Sequence, residues 1–296
     1  MVPERSSQSY GPGVTSASKA VLLELMTVLR AYQDALVLVG GWVPSLLLER
    51  HQRPTDAFSH VGSIDIDLAV DPSAVEPGHY ATIVQLLGDR GYRPAKDRRQ
   101  LPLPESFERT VLSPMTNKSY TIRVDFLSPR HREASAGRHV SVQEDLMARK
   151  VYGCDAAFRH QTTVPLTGRL PDGGELTVPI RVADVVGCVA MKGIVLGERY
   201  REKDAYDLYA LIAHYAGGPR DVAALVRPHL ADPSVAEGLE AIRTAFQRRE
   251  ANGPAWVASF LLNPMFAREY ERLRTDAFMM VDEFNRLVRE PAPAAS

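Results

Sequence analysis

The spacing of hydrophobic positions predicts a helix, a strand and a second helix near the start of the chain. Between residues 17 and 33, apolar side chains recur at helical spacing, for example at Leu22, Leu25 and Leu29. Residues 35–41, "ALVLVGG", form an unbroken apolar run that ends in two glycines, which is typical of a buried strand and a turn. The following "WVPSLLLERH" carries Pro44 in the first turn of a predicted short helix.

A different pattern follows at residues 60–70, "HVGSIDIDLAV". Ile64, Ile66 and Leu68 alternate with two aspartates, so the pattern predicts a strand that buries its apolar side chains. Asp65 and Asp67 are two positions apart, and residues i and i+2 of a strand project from the same face. The two carboxylates therefore lie side by side, either to hold a divalent cation or to meet water at the polar face of an edge strand.

The rest of the pattern separates the chain into a mixed part and a helical part. The pattern predicts a helix at residues 78–92 and a strand at residues 119–129 ("SYTIRVDFLSP"). It also predicts a hairpin at residues 162–182, with "PDGG" at its turn. Further helices are predicted at 182–196, 201–216, 220–230, 234–250 and 266–290. We therefore predict an α+β protein with a flexible arm (1–16), an α/β core with the hairpin (17–180), an α-helical domain (181–290) and a flexible tail (291–296).

Composition narrows the class of protein. The 35 basic and 36 acidic residues nearly cancel, so a nucleic acid must be bound by a local patch and not by the whole surface. Cys154 and Cys188 are too few for a disulfide framework and lack zinc-site spacing, which favours an intracellular, cytoplasmic protein. The sequence shows neither a membrane span nor the apolar segment of a signal peptide, so we expect no membrane association.

Three features of the α/β part indicate the same chemistry. The turn at Gly40 and Gly41 opens a helix, and backbone N–H groups at such a point can approach a phosphate closely. Ser63 precedes the aspartate pair on the same predicted strand face, and Asp125 supplies another acid from a later strand. Three carboxylates beside a phosphate cradle suit phosphoryl transfer with two metal ions. Each feature alone also has an ordinary structural explanation, such as a simple turn or a buried acid paired with Arg123.

The order of these features resembles the DNA polymerase β-like nucleotidyltransferase superfamily. The resemblance rests on a strand, "GG" and a helix, followed by "SIDIDL" and then "RVDFL". It implies a mixed sheet, two Mg²⁺ ions held by Asp65, Asp67 and Asp125, and an NTP whose β and γ phosphates contact Gly40, Gly41 and Ser63. The interval between Gly41 and Asp65 is longer than is usual in that superfamily, which implies an inserted loop at residues 50–62.

Residues 176–212 sharpen the resemblance. A lysine on one predicted helix precedes a K-D-x-x-D-L-Y segment on the next, which is similar to the AbiEii-type nucleotidyltransferases, the toxins of type IV toxin–antitoxin and abortive-infection systems. The resemblance implies that Lys192 contacts the triphosphate, with Asp204 also at the nucleotide. It also implies that Asp207, or in its place Asp204, organises the site or positions the acceptor. It also implies an RNA acceptor, the 3′ end of tRNA, with growth arrest as the outcome and an antitoxin encoded nearby.

The residues themselves leave alternatives open. Lys192 is a cation in an apolar helix, so it needs an anion, which is either a nucleotide phosphate or an aspartate of the same site. Basic residues at 89–100 and 129–139 are either solvated turns or a surface for an RNA backbone, with Tyr92 available to stack on a base. The rival functions are an antibiotic-modifying nucleotidyltransferase and a catalytically idle nucleotide-binding module.

Overall fold

The computed structural model describes residues 6–76, 81–130, 137–198, 202–262 and 266–290. Its strands are β1 (Leu36–Val39), β2 (Asp65–Val70), β3 (Arg93–Lys96), β4 (Pro102–Leu112), β5 (Ser119–Pro129), β6 (His139–Gln143), β7 (Leu146–Val151), β8 (Gln161–Arg169) and β9 (Glu175–Ala183). Its α-helices are α1 (Pro12–Val28), α2 (Trp42–His51), α3 (Ile83–Asp89), α4 (Cys154–Arg159), α5 (Val185–Glu198), α6 (Glu202–His214), α7 (Pro219–Val226), α8 (Pro233–Ala245), α9 (Asn252–Leu261) and α10 (Ala267–Arg289).

The chain divides into two compact units. The sheet unit comprises Tyr10–Val43 and Val61–Asp184, and the helical unit comprises Met1–Ser9, Pro44–His60 and Val185–Ser296. The division near Asp184 lies close to the predicted boundary at residue 180. Residues 44–60 belong to the helical unit, although the sequence pattern places them within the α/β core. Among the helices of the described ranges, none is both long and apolar enough to cross a membrane.

A mixed sheet forms the centre of the sheet unit, which confirms the predicted α+β class. Its strand order is β3-β4-β5-β2-β1-β9-β8, and β7 pairs with both β5 and β6. Strands β2 and β5 are parallel, whereas β1 and β2 are antiparallel. All four residues of β1 are buried, as are Ile66 and Leu68 of β2, so the predicted apolar runs do form the interior.

The beginning of the chain differs from the prediction. Helix α1 begins at Pro12, before the predicted start at residue 17, so the last residues of the expected arm are helical. Proline is favoured in the first turn of a helix because its missing N–H would have no partner there. The first five residues and the predicted tail at 291–296 lie outside the described residues.

Helices pack against one another throughout the helical unit. Helices α5 and α8 cross at close range, with Gly193 facing Gly238. A Cβ atom at either position would overlap the backbone of the other helix, so the two glycines permit this approach. Helix α6 contacts α5, α9 and α10, and this packing buries most of its length.

Candidate functional site

Three carboxylates share one face of the sheet unit's two central parallel strands. In the register of β2 and β5, Asp67 lies directly opposite Asp125, and Asp65 lies opposite Arg123. Since residues i and i+2 of a strand point the same way, Asp65, Asp67 and Asp125 project from the same face. We call these three residues the carboxylate face. Ile66 and Leu68 point to the other side and are fully buried, as the alternating pattern predicts.

Asp125 is held by a neighbour that the sequence pattern does not reveal. Ser106 on β4 is its strand partner, and the Ser106 hydroxyl donates a 2.5 Å hydrogen bond to Asp125 Oδ1. Burial raises the pKa of the Asp125 carboxyl above its ordinary value, and the Ser106 hydrogen bond opposes that shift. Arg149 and Arg123 also oppose it electrostatically. The side chain of Asp125 is 21% exposed, so a substrate can still reach it.

The glycine turn after β1 contacts the carboxylate face. Val39 is the strand partner of Asp67, and Gly40 follows with φ +76°, a conformation that favours glycine. The Asp67 carboxylate lies against Gly40 so closely that a Cβ atom at position 40 would overlap Oδ2. Gly41 comes next and leads directly into α2. The turn therefore fixes the position of Asp67.

Replacing Gly40 with alanine should destabilise the protein more than the same change at Gly173. Gly173 also has a positive φ, +97°, but nothing lies within 4 Å of an added Cβ there. Gly173→Ala should cost only the backbone penalty of about 1–2 kcal/mol, whereas Gly40→Ala adds the overlap with Asp67. Urea unfolding of both variants measures the difference. Equal losses would show that Asp67 does not depend on the turn.

Ser63 lies just before β2 and not in the strand itself. Its side chain is buried, and its hydroxyl donates a 2.9 Å hydrogen bond to the backbone oxygen of Asp65. This bond fixes the entry into β2. Its predicted role as a phosphate ligand stays a prediction.

The carboxylate face has the ligand type that magnesium prefers. Mg²⁺ is bound through oxygen, commonly by one or two carboxylates together with substrate phosphates. Within the described residues, however, no group of three or more His, Cys, Asp or Glu side chains is already gathered around one point as a metal site. The register therefore supplies a fitting set of ligands on one face, and a metal site there is a proposal.

The helical unit contains a second group of predicted residues. Lys192 on α5 donates hydrogen bonds of 2.7 Å to Asp204 and of 2.7 Å to Asp207, both on α6. Lys203 donates to the other oxygen of Asp207, and the ring nitrogen Nε2 of His60 lies 3.0 Å from that same oxygen. We call these five residues the buried charge cluster. Asp207 is at its centre, with its side chain fully buried.

The groups of this cluster shift one another's pKa values. Burial lowers the pKa of His60 to about 4, so the imidazole is neutral at pH 7. Burial works against the charged form of Lys192, but the carboxylates of Asp204 and Asp207 outweigh it and raise its pKa. Burial likewise works against the Asp207 carboxylate, but Lys192 and Lys203 outweigh it and lower the pKa of that group. Burial lowers the pKa of Lys203 below its ordinary value, and the Asp207 carboxylate opposes that shift. Two lysines thus face two aspartates, and the groups beside Lys192 in this structure are carboxylates.

The predicted site residues therefore fall into two groups. Gly40, Gly41, Ser63 and the three aspartates lie in the sheet unit, whereas Lys192, Asp204 and Asp207 lie in the helical unit. Sequence reasoning did not find Ser106, Arg149 or His60. Serine and arginine in strands give no pattern signal, and His60 is separated from Asp207 by 147 positions.

The basic segments give a mixed result. Residues 93–96 form β3, so the first segment is not simply a loop. Tyr92 is 4% exposed, and its hydroxyl contacts the Val21 backbone oxygen at 3.4 Å, so it packs in the core and is not available to stack on a base. Most of the second segment, residues 131–136, lies outside the described residues.

Comparisons with known proteins bear on this geometry. The family model described as nucleotidyl transferase AbiEii toxin, type IV TA system, matches residues 22–290. No match is found among the curated proteins. Among solved structures, JHP933 from Helicobacter pylori aligns with 92% of this chain and 92% of its own, at 14% identity and a TM-score of 0.38.

Proposed function

The chain belongs to the AbiEii family of nucleotidyltransferase toxins of type IV toxin–antitoxin systems, and on that premise we propose that it transfers a nucleoside monophosphate from an NTP to RNA. The proposed acceptor is the 3′ end of tRNA, with pyrophosphate as the leaving group and growth arrest as the outcome. The observation that carries the proposal is the register of β2 and β5, which sets Asp67 opposite Asp125 and Asp65 on the same face. We place the activity in the cytoplasm, under the control of a cognate antitoxin.

The carboxylate face would hold the metal. Asp65, Asp67 and Asp125 supply oxygen ligands for two Mg²⁺ ions, which when bound would neutralise the charge that develops on the transferring phosphoryl group. Asp125 also accepts the proton of the acceptor hydroxyl in this proposal.

The glycine turn would hold the triphosphate. The backbone N–H groups at Gly40 and Gly41 stand at the start of α2, and neither residue has a side chain to keep a phosphate away. The Ser63 hydroxyl would join them once its bond to the Asp65 backbone opens.

The buried charge cluster has a more limited role in this proposal. A phosphate can reach Lys192 only by replacing one of its two carboxylate partners. Asp204 is the more exchangeable one, since its side chain is 9% exposed and that of Asp207 is fully buried. We therefore assign Asp207 to organising the cluster, and we assign Lys192 to binding a phosphate in exchange for Asp204.

Label transfer tests the function directly. Purified protein is incubated with Mg²⁺, total tRNA and each α-labelled NTP in turn, beside the variants Asp65→Ala and Asp34→Ala. We expect label in the tRNA band with the wild type and with Asp34→Ala, because the Asp34 side chain is 90% exposed. Asp65→Ala should give none. Absence of label with every NTP would reject tRNA as the acceptor, and small hydroxylated antibiotics would be tested next.

Growth provides the second readout. Induced expression of the wild-type chain alone should arrest growth, and expression of Asp65→Ala should not. Normal growth with active wild-type protein would contradict the toxin role while leaving the transferase intact.

A further inference from the structure

The sheet forks beside Asp125. Strand β4 pairs with β5 from Ser119 as far as Asp125, whose partner is Ser106. From Leu127 onward, β5 pairs with β7 instead, and Leu127 has Arg149 as its partner on that side and Ala69 of β2 on the other. The neighbouring strand on this edge of β5 therefore changes from β4 to β7 within two residues of Asp125.

The fork brings Arg149 to the carboxylate face. Leu127 is two positions after Asp125, so the two share a face, and the strand partner of Leu127 shares it too. The guanidinium confirms this placement, since Arg149 Nη2 lies 4.0 Å from Asp125 Oδ2. That separation is longer than a hydrogen bond. Asp125 therefore attracts Arg149 electrostatically without using up its donors.

Arg149 also has an N–H donor that makes no hydrogen bond within the described residues. Its Nε atom is buried, and it has no hydrogen-bond partner among the described residues. Its side chain is nevertheless 43% exposed, so the remainder of the guanidinium is accessible. A buried N–H donor without a partner is costly. The exposed part of the guanidinium, beside the carboxylate face, is the part that a ligand can reach.

Other polar groups at the fork do not satisfy this donor. His139 on β6 is the strand partner of Arg149, and its Nε2 lies 3.3 Å from Glu105 Oε2. That Glu105 oxygen has no hydrogen bond within the described residues either. Arg123 differs from Arg149, because it donates a 2.9 Å hydrogen bond to Glu108. Arg149 is thus a partly exposed cation of the carboxylate face whose Nε donor is unused.

We propose that Arg149 binds a phosphate group of the substrate at the carboxylate face. The guanidinium presents paired N–H donors that match two phosphate oxygens, which a lysine cannot do. The phosphate belongs either to the NTP or to the backbone of the acceptor RNA. This inference deepens the proposed function and rests on it, since it assumes that the carboxylate face is where phosphates react.

Binding measurements with the full chain distinguish the two sources. One probe is inorganic tripolyphosphate with Mg²⁺, and the other is a mixed-sequence single-stranded RNA oligonucleotide. Each is titrated against the wild type, Arg149→Gln and Arg149→Lys. The matched control is Arg169→Gln, at an arginine of β8 that is 53% exposed and faces Glu175. Urea unfolding of each variant confirms that the fold is retained.

We expect Arg149→Gln to weaken one probe by about 10- to 100-fold, which is the range for a lost charge-assisted hydrogen bond. Arg149→Lys should recover only part of the loss, and Arg169→Gln should change nothing. Weaker tripolyphosphate binding identifies the NTP as the source of the phosphate that Arg149 binds. Weaker RNA binding, with the slope of log K against log salt concentration reduced by about 0.7, identifies the RNA backbone.

Two outcomes would overturn the proposal. One is unchanged binding of both probes by Arg149→Gln, which would leave Arg149 as a counter-ion of Asp125 alone. The other is a wild-type protein that binds neither probe. Because both readouts are binding, failure of the wild type to transfer nucleotides would count against the proposed function and not against this inference.

Discussion

Replacing Asp125 with asparagine should abolish nucleotide transfer while leaving the fold at least as stable as that of the wild type. Asparagine has nearly the same shape, and its Oδ1 can still accept the hydrogen bond from Ser106. It cannot hold a metal ion as a charged ligand or accept a proton. Transfer should fall at least about a hundredfold, because several kcal/mol of transition-state stabilisation depend on these roles.

The stability part of this prediction follows from the pKa of Asp125. Burial raises it, so the ionised carboxylate is less favourable in the folded protein than in the unfolded chain. This unfavourable contribution is fully present above the folded pKa and vanishes below the unfolded pKa. At pH 7 the wild type is therefore destabilised by its ionised Asp125 carboxylate, and Asp125→Asn is not.

Urea unfolding at pH 7 with EDTA, together with the label-transfer assay, measures both parts. Asp34→Asn serves as the control, since the Asp34 side chain is 90% exposed and should affect neither quantity. A variant that loses activity and stability together would mean that Asp125 is a structural acid, which would weaken its assignment to the reaction.

Replacing Asp207 with asparagine should produce the largest loss of stability. The Asp207 side chain is fully buried and accepts from Lys192, Lys203 and His60. Its neutral replacement leaves two buried lysines facing one carboxylate. Removing one partner of a buried ion pair costs about 3–5 kcal/mol, because an uncompensated charge stays behind.

Two comparisons isolate the cause. Asp282→Asn, at an exposed position of α10, should change the free energy of unfolding by less than about 0.5 kcal/mol. Adding Lys203→Met to Asp207→Asn restores the balance of charge and should recover part of the loss, as a double-mutant cycle would show. A single-variant loss below about 1 kcal/mol would show that the cluster carries little of the unit's stability.

The sequence was most informative where a pattern is local. Strand β5 spans Ser119–Pro129, the range that its alternation predicts, and the hairpin of β8 and β9 surrounds the predicted turn. Strand β4 was missed because Pro102, Pro104 and several charged residues interrupt its apolar pattern. That omission concealed Ser106 and the fork that brings Arg149 beside Asp125.

The unit boundaries show the same limit. Residues 50–62 read as a loop inserted into the α/β core, yet the segment as far as His60 belongs to the helical unit. Within that unit, Asp56 contacts His214 at 2.6 Å, and the Phe58 ring stacks on the same histidine. These contacts join residues far apart in the chain, and no local spacing predicts them.

The sequence by itself determined the fold class, most helices and strands, the family, and the type of chemistry that its aspartates support. These depend on hydrophobic periodicity and short motifs, which are properties of neighbouring residues. The tertiary structure alone decided that Asp67 faces Asp125, that aspartates accompany Lys192, and that Arg149 reaches the carboxylate face. Strand register and the pairing of buried charges depend on which distant segments pack together, and packing is a property of the whole chain.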